Sequence, residues 1–329
     1  MLIAFILSII LCFLVTIYTI HPWIEKAKSM GLVGKDMNKP DKPEVAEMGG
    51  LCIVFGFLIG ILLFIGMVTF TGNVANFQII FACLCTILMI AIIGMLDDIL
   101  GWKIGLRMWQ KPLLTIPAAL PIMVINAGHS TMCLPFFGTI DWGIVYPLII
   151  IPIGITVAAN GYNMLAGYNG LETAMGIIIL LTLGYFAFIN NKMDAALLAL
   201  CMVGALAAFL VFNWFPAKIF PGNTMTYAVG ALIACVAIIG DLQKVAIILF
   251  IPYAVDFFLP LRKRFHVEAF AKPNKDYSLE MPYDSIYDTT HFAIAMLKRI
   301  KNKVYEQDVV AFICSIEIVI ALCLIWFYK

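Results

Sequence analysis

Ten long apolar runs separated by short polar segments constrain this chain more than any other feature. A bilayer core about 30 Å thick takes roughly 20 apolar residues of helix. The runs Leu2–Ile20, Gly49–Phe70, Phe77–Leu96, Pro112–Ile125, Val145–Ala159, Leu171–Ile189, Ala195–Phe212, Met225–Ile239, Val245–Leu259 and Val309–Phe327 fill most of the 329 residues. The fourth and fifth are short and carry prolines, so they are expected to extend by a turn or to be partly buried in protein. Hydrophobic residues make up 63% and charged residues 12% of the sequence, against about 45–50% and about 25% in a soluble domain. That balance excludes a soluble enzyme, a nucleic-acid binder and a disordered chain. The expected fold is all-α and polytopic, with ten transmembrane helices in one integral-membrane domain over residues 1–329. Residues 2–20 lack a basic leader and a small-x-small cleavage site, and read as a first span rather than a signal peptide.

Lysine and arginine mark the cytoplasmic side of a membrane protein. The segments 21–48, 97–111, 160–170, 213–224 and 260–308 hold 18 of the 21 basic residues. With an even number of spans, this places those loops in the cytoplasm and both termini outside. The segment Asn126–Gly143 is the one long external loop, and a small hairpin is expected near Phe136-Phe137-Gly138. Eight of the nine cysteines fall in apolar runs and no pair has zinc-ligand spacing, so they read as small core hydrophobes. Glu317 is the one deep acid, expected to make a hydrogen bond between helices.

Polar chemistry gathered on one face suggests an enzyme acting on a membrane-embedded substrate, with catalytic loops in the cytoplasm. The first loop, Gly34 to Glu44 and on to Gly50, mixes charges as a clamp on a polyanion would, or as a solvated loop near anionic lipid. Asp97-Asp98 directly follows a span, and two adjacent carboxylates are relieved by a cation such as Mg²⁺ with a phosphate substrate. Lys111 heads the next run, where an ammonium either reaches a phosphate or snorkels. The segment Asn160 to Glu172 holds three asparagines and no Lys or Arg. Its amides can bind metal or hydrogen-bond a base or sugar. Pro221-Gly222-Asn223-Thr224 opens a helix, a plausible anion site, and Arg262-Lys263-Arg264-Phe265-His266 fits either a pyrophosphate cradle or the positive-inside rule alone. A transporter, the competing class, would carry acids and broken helices at mid-membrane in both halves, a pattern the sequence lacks.

Together these segments resemble the polyprenyl-phosphate N-acetylhexosamine-1-phosphate transferases, nearest to the dolichyl-phosphate N-acetylglucosamine branch. The resemblance rests on Gly34-Lys-Asp-Met-Asn-Lys39, Pro43-Glu44, Asp97-Asp98, Lys111-Pro-Leu-Leu, the whole of Asn160–Glu172, Asn213-Trp-Phe-Pro216, Pro221-Gly-Asn-Thr224 and Leu279-Glu-Met281. It implies ten helices and a cytoplasmic site. It also implies a reaction in which a lipid phosphate attacks the β-phosphorus of UDP-N-acetylglucosamine, yielding lipid-diphospho-sugar and UMP with Mg²⁺, or Mn²⁺ in its place. Undecaprenyl phosphate is the alternative acceptor, and a homodimer is left open. Carried over by position, Asp97, Asp98 and Lys111 are catalytic. Asn163 and Asn223 fall at metal positions. Asn169 and Phe220 face the base, Glu44 lies beside the substrate with Asp36, Asn38 and Lys39, and Arg262, Arg264 and His266 grip pyrophosphate and sugar. The family usually has Gly-Asp-Thr where this chain has Gly222-Asn223-Thr224. The 13 positions from Asp98 to Lys111 require that loop to bulge. The short 260–308 segment and the overall length point to an archaeal cell-membrane form.

Overall fold

The computed structural model describes residues 1–72, 76–134 and 138–327, with the backbone alone at 102–104, 133 and 134. In chain order the elements begin with α1 (Leu2–Ser29), β1 (Val33–Lys35), β2 (Glu44–Ala46), α2 (Gly50–Phe70) and α3 (Gln78–Ile104). Then come α4 (Gln110–Thr115), α5 (Leu120–Val124), β3 (Thr131–Leu134), β4 (Gly138–Asp141) and α6 (Ile151–Tyr162). The long helices α7 (Leu171–Ile189), α8 (Met193–Asn213) and α9 (Gly222–Ile239) follow. The chain ends with α10 (Gln243–Leu249), α11 (Ile251–Leu261), β5 (Lys272–Pro273), β6 (Leu279–Glu280), α12 (Thr289–Leu297) and α13 (Glu306–Phe327).

Seven helices among the described residues are long and apolar enough to cross a membrane: α1, α2, α3 up to Gly101, α7, α8, α9 and α13. The bent pair α10 and α11 makes an eighth if it is counted as one span; of the ten expected runs, the other two are shorter or interrupted. Pro112–Ile125 divides into α4, a 3₁₀ turn at Ile116–Ala119 and α5. Pro117 and Pro121 lack the N–H that would carry one helix through. Val145–Ala159 opens with a π-helical turn at Tyr146–Ile150 before α6, and Tyr146–Tyr162 is a short apolar stretch. At 1.5 Å per residue it reaches about 25 Å, short of a full hydrocarbon core. Val245–Leu259 becomes α10 and α11, bent by 49° at Phe250, where Pro252 follows the break.

Helix α9 is the axle of the bundle. Of its most apolar stretch 83% is buried, against 33% for α1, and it packs on α2, α3, α6, α7, α8 and α10. Small residues allow that crowding. A Cβ at Gly94 of α3 would stand 2.5 Å from the Asn223 carbonyl oxygen, so only glycine lets the two helices meet there. The first loop folds as an antiparallel hairpin, β1 with β2, in which Lys35 pairs with Glu44 and Val33 with Ala46. Ala46 bridges Ile219 in parallel, and Phe220 N donates to the Ala46 carbonyl at 2.7 Å. This ties the first loop to the start of α9. Strands β3 and β4 pair antiparallel; the turn expected at residues 136–138 falls largely outside the described residues. Glu317 is fully buried in α13, and neither of its oxygens has a hydrogen-bond partner among the described residues, contrary to the expected interhelical bond.

Candidate active site

Asp97 and Asp98 lie on the last regular turn of α3, before Gly101 breaks the helix with φ +72°. That break supplies the required bulge. The chain turns through Gly105, and Leu106 N donates back to Asp97 Oδ1 at 2.7 Å. Lys111, in the first turn of α4, then brings its Nζ to 2.7 Å from Asp97 Oδ2. Asp97 is almost fully buried while Lys111 keeps a quarter of its surface open, which leaves the ammonium able to swing.

The neighbouring carboxylate does something different. Asp98 Oδ1 accepts Asn223 N at 2.7 Å, and Oδ2 accepts both Thr224 N at 3.0 Å and Thr224 Oγ1 at 2.6 Å. These are orphan donors of the first turn of α9, which no side chain of its own caps. Asp98 is therefore the N-cap of α9, supplied from another helix, and its charge complements the positive end of the helix dipole. Gly222 makes the approach feasible. It sits at φ +71°, and a Cβ there would stand 2.6 Å from Asp98 Oδ2. Asn223 closes the circle, its Nδ2 donating to Asp97 Oδ2 at 3.0 Å. One turn on, Thr226 Oγ1 donates to Asn163 Oδ1 at 2.5 Å. Asp97, Asp98, Lys111, Asn163 and Asn223 thus converge on one helix end.

The remaining candidates fall into three groups. Asp36, Asn38, Lys39 and Asn169 are buried and bound to one another or to nearby backbone. Asn38 Nδ2 donates to the Gly167 carbonyl at 2.9 Å, and its Oδ1 accepts Ala271 N at 3.0 Å. Lys39 pairs with Asp36 and with Glu306, and Asn169 uses both ends of its amide within the protein. Phe220 is half-buried and precedes α9 directly. Glu44 is exposed on β2, and Arg262, Arg264 and His266 are exposed on the turn after α11. Arg262 donates to the Ile286 carbonyl and lies 5.5 Å from the Tyr287 ring.

Sequence reasoning passed over three residues. Glu47, not Glu44, is the first-loop acid next to the carboxylate pair. Burial, with the Asp98 charge beside it, pushes its carboxyl above the usual range. A strand of three residues is too short for periodicity to separate the two acids. Glu306 and Thr226 reach their partners across 137 and 63 positions, and no local pattern signals either.

An apolar cavity of about 700 Å³ opens beside this cluster, walled by α6, α9, α10 and α11. Pro112, Asn160 and Met164 stand at one end, and Tyr146 and Gln243 at the other, where Gln243 Nε2 donates to Tyr146 Oη at 3.0 Å. The bundle and this site define a multi-pass membrane protein, and the chain belongs to glycosyl transferase family 4, whose sequence profile matches residues 80–241. It is 38% identical to a Saccharolobus solfataricus protein provisionally named UDP-N-acetylglucosamine–dolichyl-phosphate N-acetylglucosaminephosphotransferase, over 97% of this chain and 95% of that one. A protein of that name from Dictyostelium discoideum is 25% identical over 72% of this chain and 66% of its own length. The phospho-N-acetylmuramoyl-pentapeptide-transferase of Streptococcus mutans is 31% identical over 75% of this chain and 76% of its own length.

Proposed function

We propose that the chain transfers N-acetylglucosamine-1-phosphate from UDP-N-acetylglucosamine to a polyprenyl phosphate of the dolichyl type, the first step of N-glycan precursor assembly. The observation that carries this reading is that Pro112 and Met164, next in the chain to Lys111 and Asn163, line one end of the apolar cavity, while Lys111 and Asn223 both bind Asp97. A phosphate on a long hydrocarbon would lie with its tail between α6, α9 and α11 and its head beside Lys111. The nearly full-length similarity to the Saccharolobus protein supports the substrate pair.

In this reading an oxygen of the lipid phosphate attacks the β-phosphorus of the donor. The bond from that phosphorus to the α–β bridging oxygen breaks, and UMP leaves with the electron pair. Lys111, free to swing from Asp97, stabilises negative charge on the reacting phosphates. Asp97 holds the ammonium aimed at the site until substrate arrives. Asp98 fixes the first turn of α9, and with it Asn223 and Thr226. Two carboxylates and two side-chain amide carbonyls at one helix end are hard oxygen donors of the kind Mg²⁺ or Mn²⁺ takes together with substrate phosphates. Asp97, Asp98, Asn163 and Asn223 would hold the ion. It would supply charge neutralisation on the diphosphate.

The bias of basic residues supports a cytoplasmic site with both termini and the β3–β4 pair outside, all ten apolar segments entering the membrane, two of them broken and one short. Purified protein tests the reading. UMP released from UDP-N-acetylglucosamine only when a polyprenyl phosphate is present supports it. Dolichyl and undecaprenyl phosphates in parallel separate the two acceptor branches. Passage of nucleotide-sugar across proteoliposomes without UMP release would refute the reading in favour of a transporter.

A further inference from the structure

The asparagine-rich segment between α6 and α7 is held by two buried carboxylates that grip its backbone. Glu172 Oε1 accepts Gly167 N at 2.9 Å, and Glu306 Oε1 accepts Asn169 N at 2.7 Å. Glu172 lies in the first turn of α7, just past the segment. Glu306 comes from the first turn of α13, and its side chain is 2% exposed. Its second oxygen accepts Lys39 Nζ at 3.2 Å.

Lys39 carries the grip onward. It also donates to Asp36 and, at 3.2 Å, to Asn169 Oδ1, and its ammonium lies 4.6 Å from the centre of the Phe215 ring. Asn169 Oδ1 accepts Ala217 N at 2.7 Å, and its Nδ2 donates to Asp36 Oδ2 at 3.1 Å. Glu306 thereby joins the first loop, the asparagine-rich segment and the loop leading to Phe220 in one buried knot. Burying two acids and a lysine is costly unless each is fully hydrogen-bonded. Every member here has two or more partners, so the arrangement is rigid, and removing Glu306 leaves Asn169 N without its acceptor and Lys39 with one carboxylate instead of two.

We propose that Glu306 is a positioning residue for the nucleotide half of the donor, setting the asparagine-rich segment and the 213–220 loop at the separation a uridine diphosphate requires. It acts through Asn169 and Lys39 and does not itself touch substrate. The inference rests on the donor assignment of the preceding section and on the base-facing positions that the family resemblance implies for Asn169 and Phe220.

The test uses the full chain in lipid nanodiscs, with calorimetric binding of UMP and separate KM values for UDP-N-acetylglucosamine and polyprenyl phosphate. A charge-assisted hydrogen bond is at stake, so Glu306→Ala is expected to raise Kd for UMP and KM for the donor by about 10- to 100-fold. KM for the lipid is expected to stay within about 2-fold, well below that effect. Glu306→Gln keeps an oxygen for Asn169 N and loses the ion pair with Lys39, so it is expected to fall between wild type and Glu306→Ala. It also serves should the alanine variant fail to fold. Unchanged UMP binding in the glutamine variant, or equal damage to both KM values, would overturn the positioning role. Wild-type protein that binds no uridine nucleotide would overturn the donor assignment instead.

Discussion

Two adjacent aspartates invite identical treatment, but the structure predicts that they respond differently to the same mutation. Asp98 faces two backbone amides and a hydroxyl, all donors on the first turn of α9. Asn in its place has one oxygen for these donors and turns an NH₂ toward the rest. The backbone donors cannot move away. One amide left unpaired costs about 1–3 kcal/mol, and loss of the charge at the helix end adds about 0.3–1 kcal/mol, so Asp98→Asn is expected to cost about 2–3 kcal/mol. Asp97→Asn keeps an acceptor for Leu106 N. Its other partners, Lys111 Nζ and Asn223 Nδ2, are both adjustable: the lysine swings to solvent and the amide turns over. The loss is that of a partly exposed ion pair, about 1 kcal/mol or less. The difference of about 1–3 kcal/mol, at up to about 2–4 °C per kcal/mol, should put Asp98→Asn roughly 2–12 °C below Asp97→Asn. The assay is thermal unfolding in detergent by intrinsic tryptophan fluorescence, run beside UMP release. Asp97→Asn should lose turnover while keeping its melting temperature. Equal melting temperatures, or the reverse order, would refute the capping role assigned to Asp98.

Lys111→Ala should lower kcat by roughly 10²–10³-fold, the scale for removing one preorganised donor. Lys111→Arg should recover little, because a planar fork does not replace a compact ammonium; kcat within a few-fold of wild type for either variant would remove Lys111 from the chemistry. Asn223→Asp sets a carboxylate against Asp97, where the amide now donates, and like charges at that range repel unless a cation lies between them. Half-activating Mg²⁺ should therefore fall and thermal stability should become Mg²⁺-dependent; an unmoved Mg²⁺ titration would take Asn223 off the metal site. For Glu47 the acid form persists to higher pH than for a free glutamate, through burial and the Asp98 charge. Activity that needs its carboxylate is thus lost, as pH falls, at a higher pH than for an ordinary glutamate, and Glu47→Gln, which never carries the charge, should hold activity at the low level of that acid limb at every pH; a variant with wild-type activity and an unchanged pH profile would show that the limb belongs to another group.

The long spans were legible because an unbroken apolar run of bilayer length has few other uses. The three irregular runs were not, since a proline can bend a span, end it or cap its start, and the neighbours decide which. Asp97-Asp98, Lys111 and the asparagine-rich segment stood out as polar residues at the ends of apolar runs. Their division of labour was hidden. Successive residues on a helix point about 100° apart, so one aspartate meets α9 and the other meets Lys111, and nothing in a dipeptide says which. Asn169 and Lys39 were read as facing substrate, and in the fold they are buried and face each other. Their shared partner, Glu306, lies at the far end of the chain.

The tight seating of α9 bears on how the site keeps its aim. A helix that slipped by one residue inside its sleeve would turn its end by about 100° and advance it 1.5 Å, swinging Asn223 away from Asp97 and parting Thr226 from Asn163. Gly94 brings the backbone of α3 against α9 at Asn223, and Gly230 of α9 admits the backbone of α6 at Ala158, the first contact near the start of α9 and the second halfway along it. Those two contacts act as detents. They fix the rotational setting of a shaft whose tip carries the chemistry, so the register of a fully apolar interior is read out, some distance away, as the placement of polar atoms at the membrane face.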